Sequence, residues 1–261
     1  MSQGAYIPLS SALVQEKRLE VLANNLANVN TVGFKGDRPT FKVTSDDSPE
    51  SSQRDSLMRS IATNPLSLSL SQLNRLMVTF GGTRTDFSPG MIKETGNQLD
   101  LALQGEGFFS IKSPQGIMYT RNGSFTLGPQ GKLLTQEGLP VLGENGEITI
   151  DGSDISITAD GTILVGGSEV GKLRIVDFQR PYPLNKIGSS LFSLSTGPNK
   201  EVAAKDVKVK QGFLEMSNVN IVKEMVLMID VHRAYEAYQK VIEAVFDTTT
   251  YKTVNEVGRL M

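Results

Sequence analysis

The chain has 261 residues, of which 39% are hydrophobic and 21% are charged, a composition ordinary for a globular protein. Its formal net charge is −2, so it lacks the basic excess of proteins that bind nucleic acid or anionic membranes. It has no cysteine and a single histidine, His232. Disulfides, thiolate metal sites and chemistry built on histidine clusters are therefore excluded.

The sequence predicts neither membrane insertion nor a cleaved secretory signal. No apolar run reaches the roughly 18 residues that a membrane-spanning helix needs. The N-terminal sequence MSQGAYIPLSSALVQEKR lacks a basic leader followed by an apolar block. If this protein leaves the cytosol, we expect it to use another export route.

Residues 4–29 are predicted to form a helix with two apolar columns. Each column repeats every seven residues, and the two-residue offset between them places the columns on opposite faces. A helix at the edge of a single domain needs one apolar face, so two faces predict neighbours on both sides. The first column contains Ala5, Ala12, Leu19 and Leu26, and the second contains Ile7, Val14 and Val21.

Residues 43–80 follow no single pattern. The polar segment 43–53 is predicted to be an exposed loop or linker. Beyond it the apolar spacing fits either a strand or a helix, and both interpretations stay open. The strand interpretation depends on Leu66, Leu68 and Leu70, and the helix interpretation on Leu70, Leu73 and Met77.

Residues 96–214 are predicted to form an all-β module of many short antiparallel strands. Glycines recur there every six to nine residues, with short alternating apolar runs between them. Four pairs of Asn or Asp followed by Gly predict hairpins, because both central positions of a type I′ turn need positive φ. A β-solenoid is a less favoured alternative, because the glycine spacing is irregular. The four pairs begin at Asn122, Asn145, Asp151 and Asp160.

Residues 218–256 are predicted to form a second helix, with Ser217 and Asn218 as its caps. Its apolar residues repeat every seven positions over about four heptads, as in the seam of a coiled coil. Further apolar residues lie outside this seam, so one partner helix would not cover them all. The seam residues are Ile221, Met228, Tyr235 and Ile242, joined by Val231, Tyr238 and Val245.

The order of helix, linker, β module and helix predicts an α+β fold. Coiled-coil-like pairing of the terminal helices would bury one apolar face of each, leaving the other faces for further copies of the chain. We expect a terminal helical domain (1–35 and 215–261), a linker and extended segment (36–95), and a central β domain (96–214).

Four asparagines occur within seven residues, at positions 24, 25, 28 and 30, although asparagine is a poor residue for a helix interior. One interpretation is a helix end with Asn caps, a turn at Gly33, and Phe34 docked into the core. The other adds hydrogen bonds across subunit interfaces that fix the packing register.

Nothing in the sequence predicts catalysis or a bound cofactor. Residues 105–109, GEGFF, lack the GxGxxG spacing and the following helix of a phosphate-binding loop, and they are better explained as a turn before a strand. His232 lies within the helical seam and is expected to be a packing residue. The candidate acids, which have no predicted nucleophile or orienting base beside them, are Asp86, Glu94, Asp100 and Glu106.

Four blocks of the sequence resemble the axial proteins of the bacterial flagellum, the family of rod, hook and hook-associated subunits. They occur in the order found in that family and span nearly the whole chain. The blocks are ANNLANVNTVGFK (23–35), GNQLDLALQGEGFFSI (96–111), YTRNGSFTLGPQGKLLTQEGLPVLG (119–143) and SNVNIVKEMVLMIDVHRAYEAYQKVI (217–242). The length resembles that of a rod protein, and TDFSPGMIKETGNQLDLALQGEGFF with the ending NEVGRLM is most similar to the proximal-rod (FlgF) type.

The resemblance implies a structural subunit of the basal-body rod. Such subunits are exported unfolded through the flagellar type III export apparatus, without a cleaved signal, and assemble in the periplasm with other rod proteins. Their terminal helices form the inner core of a drive shaft that transmits torque, and the β domain forms the outer layer. No cofactor, small-molecule substrate or nucleic acid is implied. The residues expected at the assembly interface are Leu19, Asn25, Leu26, Asn28, Phe34, Ile221, Met228, Val231, Tyr235, Tyr238 and Ile242.

Three alternatives to a proximal-rod subunit stay open from the sequence. The first is a distal-rod (FlgG-like) subunit of the same family. The second is an enzyme of the β domain that carries helical oligomerisation arms, for which an acid pair in a deep pocket would be the evidence. The third is a secreted β-rich adhesin or binding module, which exposed aromatic patches and a stable monomer would favour.

Overall fold

The computed structural model describes residues 6–45, 76–195, 201–204 and 206–257, and the side chains within 8–42, 78–195, 201–204 and 206–247. The chain divides into two compact units. Unit 1 contains 1–26, 37–84 and 221–261, and unit 2 contains 27–36 and 85–220. Residues 27–36, although close to the first helix in sequence, therefore belong to the unit that holds most of the strands.

Unit 1 contains two helices and a two-stranded antiparallel ribbon. The helices are α1 (Tyr6–Ala27) and α2 (Ile221–Val257), as the apolar periodicity of both segments predicts. The strands are β1 (Asp37–Ser45) and β2 (Leu76–Thr85), which pair only with each other among the described strands. The prediction of a helix near each end of the chain is confirmed.

The ribbon packs its aromatic residues against each other and against α1. The Phe41 and Phe80 rings meet edge to face with centroids 6.4 Å apart, and the Arg18 guanidinium lies 4.8 Å from the centre of the Phe41 ring. A two-stranded hairpin is at best marginally stable alone, so this contact with a helix contributes to its order.

Unit 2 consists of short strands joined by tight turns, and the predicted β region is confirmed. All described strand pairs are antiparallel, so the alternative of a β-solenoid is wrong. The strands are β3 (Ile92–Glu94), β4 (Leu101–Gln104), β5 (Phe108–Ser113), β6 (Gly116–Thr120), β7 (Phe125–Leu127), β8 (Leu133–Thr135), β9 (Leu142–Gly143), β10 (Gly146–Glu147), β11 (Ile155–Ile157), β12 (Thr162–Val165), β13 (Ser168–Lys172), β14 (Ile175–Phe178), β15 (Leu184–Gly188), β16 (Leu191–Leu194), β17 (Glu201–Ala203), β18 (Lys208–Gln211) and β19 (Phe213–Glu215).

The largest sheet of unit 2 has six strands in the order β15-β16-β6-β5-β14-β17. Successive side chains on β5 point to opposite faces, so Phe108 and Phe109 enter different clusters. Phe109 joins a large aliphatic core with residues such as Leu101 and Ile111. Phe108 joins an aromatic cluster with Tyr119, Phe178 and Phe192. The sheet is therefore buried on both faces by residues of its own unit.

The smaller sheets extend this core. They are the three-stranded sheet β11-β12-β13 and the pairs β3–β19, β4–β18, β7–β8 and β9–β10. The pairs β3–β19 and β4–β18 join early strands of the unit to its last strands. The C-terminal part of unit 2 is thus held by strands that precede it by more than a hundred residues.

Two of the four predicted hairpins are present, but with another turn geometry. Asn145-Gly146 lies in the β9–β10 connection and Asp160-Gly161 in the β11–β12 connection. In both pairs only the glycine has positive φ, so neither is a type I′ turn. The glycine follows the central residues of the turn, as the hydrogen bond from Gly161 N to Thr158 O (2.9 Å) shows.

The other two predicted hairpins are wrong. Asn122-Gly123 connects β6 to β7, which are not paired, and Asp151-Gly152 precedes β11 outside any hairpin. Gly123 is required for another reason: a Cβ there would lie 1.7 Å from the carbonyl oxygen of Leu101. The close approach of two backbones, rather than a turn conformation, selects glycine at this position.

Three element boundaries also differ from expectation. Strand β1 continues to Ser45, so the first residues of the predicted 43–53 loop are extended. Met77 lies in β2, which makes the helical interpretation of that residue wrong. The leucines at 66, 68, 70 and 73 lie outside the described residues. Helix α2 begins at Ile221, so Ser217 and Asn218 are not its caps.

Within the described residues, neither helix combines the length and the hydropathy that crossing a membrane would require.

Candidate assembly surface and connector clamp

The predicted seam of α2 is the less exposed side of that helix. Val231 is buried, and the half-buried positions repeat at helical spacing around it. Ile221, the first residue of the predicted seam, is exposed. The half-buried members of the seam are Met228, Tyr235, Tyr238, Ile242 and Val245.

The opposite side of α2 carries an apolar stripe that its own chain leaves exposed. Val222, Met225, Val226 and Ile229 follow the i, i+3, i+4, i+7 spacing that places them on one face. Val222 is 71% exposed and Ile229 is 53% exposed. We call these four residues the outer stripe. An apolar stripe of this kind on a soluble helix is typical of a surface that another chain covers.

In the two predicted apolar columns of α1, the side chains that the structure describes are all buried or half-buried. Val14 and Val21 of the second column are buried, as is Ala12 of the first. The contact of Arg18 with Phe41 shows that β1 packs against this helix. Among the described residues of α1, the exposed large apolar side chains are Leu9 and Leu13, one helical turn apart, which belong to a third side of the helix.

Asn25 is buried and its amide is bonded inside unit 1. Its Oδ1 accepts from Asp37 N at 2.8 Å, and its Nδ2 donates to Asp37 O at 2.8 Å. The same Nδ2 lies 3.5 Å from Oε2 of Glu224 on α2. This one side chain of α1 thus contacts both β1 and α2. Asn28, by contrast, is half-buried, and its Oδ1 accepts from Thr31 Oγ1 at 3.2 Å.

Two short segments of unit 2 connect it to the helices. We call residues 28–36 the N-connector and 212–220 the C-connector. Phe34, which was predicted to dock into the core, is buried, and the Lys186 ammonium lies 3.6 Å from its ring centre. The turn before it needs Gly33, which has φ +66° and whose added Cβ would lie 2.3 Å from Asn122 N.

A carboxylate of the C-connector joins two buried cations. Glu215 Oε1 accepts from Lys35 Nζ at 2.5 Å, and Glu215 Oε2 accepts from Arg121 Nη1 at 3.2 Å. Lys35 and Glu215 are each 1% exposed. We call Lys35, Arg121 and Glu215 the connector clamp. Burying charged groups is unfavourable unless they are paired and hydrogen-bonded, so each member depends on the others.

Additional hydrogen bonds stabilise both cations of the clamp. Lys35 Nζ donates to Ser88 O at 2.8 Å, and Arg121 Nη2 donates to Gly105 O at 2.8 Å. The Arg121 guanidinium also lies 5.3 Å from the centre of the Phe108 ring. Burial lowers the pKa of Lys35, and the adjacent Glu215 carboxylate opposes that shift.

Asn218 provides a second link between the connectors. Its Oδ1 accepts from Gly36 N at 2.8 Å, and its Nδ2 donates to Asp86 O at 2.8 Å. The backbones are also joined directly, since Gly33 N donates to Glu215 O at 2.7 Å. The residue that the sequence suggested as a helix cap therefore ties the two connectors together.

Sequence reasoning did not anticipate the clamp. Lys35 and Glu215 are 180 positions apart and each looks like an ordinary surface charge. Arg121 lies between a strand and an Asn-Gly pair, where a solvent-facing arginine is expected. The only local hint is that Lys35 and Glu215 each follow a buried apolar residue, Phe34 and Leu214, without a polar residue between them.

The acids considered for catalysis have structural partners or are exposed. Asp100 accepts from Thr95 Oγ1 at 2.7 Å and from Asn97 Nδ2 at 3.2 Å. Glu106 pairs with Arg180 on the surface, and Glu94 is exposed on β3. The prediction that His232 is a packing residue is wrong, because His232 is exposed and its Nδ1 lies 3.4 Å from Glu236 Oε1. In the part of the chain that the structure describes, no three acidic or histidine side chains group as metal ligands would.

Three family models match separate parts of the chain in order. The model described as flagella basal body rod protein matches residues 10–35. The model for the flagellar hook protein FlgE/F/G D1 domain matches 102–165, and the model for the flagellar basal body rod FlgEFG protein C-terminal region matches 210–249. The matches therefore include both helices and part of unit 2.

Individual relatives extend over nearly the whole length. The flagellar basal-body rod protein FlgG of Bacillus subtilis (strain 168) is 34% identical, over 100% of this chain and 99% of that protein. The flagellar basal-body rod protein FlgF of Rhizobium meliloti (strain 1021) is also 34% identical, over 90% of each chain. These relatives are named as parts of the flagellum and not by a catalytic activity. The chain belongs to the flagellar basal-body rod protein family and is a structural subunit rather than an enzyme.

Proposed function

We propose that this protein is a proximal-rod subunit that polymerises through its terminal helices into the shaft that transmits torque. The outer stripe of α2 is the observation that carries this proposal. A helix that presents apolar residues on the side away from its half-buried seam gains stability when further chains cover that side.

The predicted interface residues fall into three groups by exposure under this proposal. Ile221 is exposed and is available to a neighbouring subunit without rearrangement. Leu19, Leu26, Met228, Tyr235, Tyr238 and Ile242 are half-buried, and we propose that they line the contact between the paired helices and its margin. Val231, Phe34 and Asn25 are buried by their own chain and would support the interface from beneath.

Pairing of α1 with α2 in a coiled-coil-like manner remains part of the proposal. The hydrogen bond between Asn25 and Glu224 supports it, because this contact joins the end of α1 to the first turn of α2. A buried amide in such a position is a known means of fixing helix register. Asn25 would then act within the subunit, whereas Asn28 is closer to the surface.

A distal-rod subunit is the second candidate. Relatives named FlgG and relatives named FlgF have similar identity to this chain, 34% in one example of each. The two alternatives place the protein at different heights on the same shaft. Electron microscopy of purified basal bodies carrying a labelled copy of this chain distinguishes them. Label near the inner membrane supports the proximal assignment, and label next to the hook overturns it in favour of the distal one.

The proposed location is the periplasmic rod, reached through the flagellar type III export apparatus without a cleaved signal. Other rod proteins and copies of this chain would be its partners. Mass spectrometry of the N-terminus of the assembled protein tests the export route. Recovery of the intact N-terminal peptide, starting at Met1 or Ser2, supports it, whereas removal of a leader contradicts it.

A charge placed in the outer stripe tests the polymerisation surface. We expect Ile229→Asp to abolish incorporation into basal bodies and swimming, because assembly would bury an unpaired carboxylate. Gln239→Asp is the matched control, since it places the same charge on an exposed polar position of the same helix. Circular dichroism should show that both variants keep their β structure. Normal swimming with Ile229→Asp would exclude the outer stripe as an assembly surface.

A further inference from the structure

We propose that the connector clamp couples the two connectors, so that release of the C-connector from unit 2 expels the N-connector. All the residues involved belong to unit 2, and the inference does not depend on the proposed place of the protein in the rod. Glu215 is the positioning residue of this device. It is the one carboxylate that bonds both cations of the clamp.

The charge distribution of the clamp makes the coupling directional. Two buried cations, Lys35 and Arg121, share the single carboxylate of Glu215. If the N-connector leaves, Lys35 leaves with it, and Glu215 stays paired with Arg121. If the C-connector leaves, both cations remain buried without their counter-ion. An uncompensated buried charge is far more unfavourable than a paired one, so Lys35 must then leave as well.

The other charged and polar groups around Lys35 do not remove this dependence. Burial lowers the pKa of Lys35, and Glu215 opposes that shift more strongly than Asp86, the other acid that favours protonated Lys35. Ser88 O accepts a hydrogen bond from Lys35 Nζ without neutralising its charge. Arg121 opposes the charge of Lys35 directly, because the two cations face the same carboxylate.

Uncharged contacts reinforce the coupling. The bond from Gly33 N to Glu215 O and the bond from Gly36 N to Asn218 Oδ1 both cross from one connector to the other. Asp86 joins both connectors as well. Its N donates to Gly36 O of the N-connector at 2.8 Å, and its O accepts from Asn218 Nδ2 of the C-connector. Neither connector can lift away without breaking hydrogen bonds made by the other.

Hydrogen exchange of the full chain tests the coupling at single amides. Glu215→Gln removes the shared counter-ion and keeps the size of the side chain. We expect the Gly36 amide of the N-connector and the Met216 amide of the C-connector both to exchange about a hundredfold faster. Amides in β5 and β6 should change little. Faster exchange at Met216 with an unchanged Gly36 would overturn the proposal.

Glu147→Gln is the matched control for this substitution. Glu147 also joins two cations, Lys112 and Lys132, at 2.6 and 2.7 Å, but on the surface. Water solvates those lysines when the carboxylate is lost, so neither connector should respond. An equal rise in connector exchange in this control would show that any loss of charge in unit 2 has the same effect, which overturns the role of Glu215.

Two further variants keep the test decisive if Glu215→Gln does not fold. Lys35→Met leaves the Glu215–Arg121 pair intact, so Gly36 exchange should rise much more than Met216 exchange. Gly33→Ala forces the N-connector away from Asn122, whereas Gly138→Ala, at φ +82° with open space around it, has the same backbone strain without a clash. We expect Gly33→Ala, but not its control, to raise exchange at Gly36. Equal responses of both connectors to Lys35→Met would refute the directional coupling.

Discussion

Unit 2 and helix α2 bury their apolar residues in opposite ways. In unit 2 the six-stranded sheet is covered on both faces, with Phe108 in one cluster and Phe109 in another. In α2 the outer stripe remains exposed although its residues are as apolar as those of the sheet. The difference teaches that one part of the sequence encodes a core for its own chain, whereas another leaves an apolar face that we propose other chains cover.

Truncation of the core should have the largest effect on this comparison. Phe109→Ala removes a fully buried ring and should lower the free energy of unfolding of unit 2 by about 3–5 kcal/mol. Chemical denaturation followed by circular dichroism in the β region measures the loss. Phe246→Ala, at an exposed aromatic position of α2, is the control and should leave that transition in place. Equal losses would remove the distinction between the two regions.

Limited proteolysis should separate the two regions next. Trypsin should cut after Arg233 and Lys240 on α2 at least about ten times faster than after Lys35 and Arg121, which lie in the clamp. Lys208 is a useful reference, because its side chain is exposed but its backbone lies in β18. We expect a protected fragment that includes both connectors. Early cleavage after Lys35 would contradict their attachment to unit 2.

Truncation in the outer stripe should have little effect on the free chain. Met225→Ser removes apolar surface that is already in water, so the free energy of unfolding should change by less than about 0.5 kcal/mol. Thermal unfolding of dilute protein measures this, and incorporation into basal bodies should fall in the same variant. A large loss of stability in the dilute chain would mean that its own residues cover the stripe.

The smallest expected effect concerns a surface carboxylate of unit 2. Hydrogen bonds from Lys112 and then Lys132 lower the pKa of Glu147 to about 2. In the unfolded chain a glutamate has a pKa of about 4.3, so between about pH 4.3 and about pH 2 the unfolded chain binds more protons than the folded chain does. The contribution of Glu147 to stability is therefore fully present above about pH 4.3 and is lost as the pH falls towards 2. Glu147→Gln should therefore flatten the acid side of the stability profile. Glu137→Gln, another exposed carboxylate, provides the comparison.

The sequence was sufficient for the elements that depend on local spacing. The seven-residue repeat of Met228, Tyr235 and Ile242 predicts both the existence of α2 and the side that is less exposed. Alternating apolar residues likewise predict the short strands of unit 2. The spacing of glycines does not reveal why each glycine is needed. Gly161 follows the central residues of a turn, whereas Gly123 allows two backbones to approach closely.

The clamp could not be predicted because it depends on contacts between distant residues. The pairing of β3 with β19 and the docking of the N-connector beside them bring together Lys35, Arg121 and Glu215. Asn218 is instructive for the same reason. Its position just before a helix fits a cap, but the amide is used by the N-connector, and helix α2 begins later. A tertiary contact overrides the local preference in this case.

The outer stripe makes concentration a structural variable for this chain. A helix whose apolar side is covered only by other copies becomes more stable as the free concentration of those copies rises, by mass action. The stability of α2 in dilute solution is therefore a lower bound, whereas the stability of unit 2 is a property of one molecule. On the proposed assembly, such a subunit stays adaptable while it is scarce and becomes rigid only where a growing end presents its neighbours.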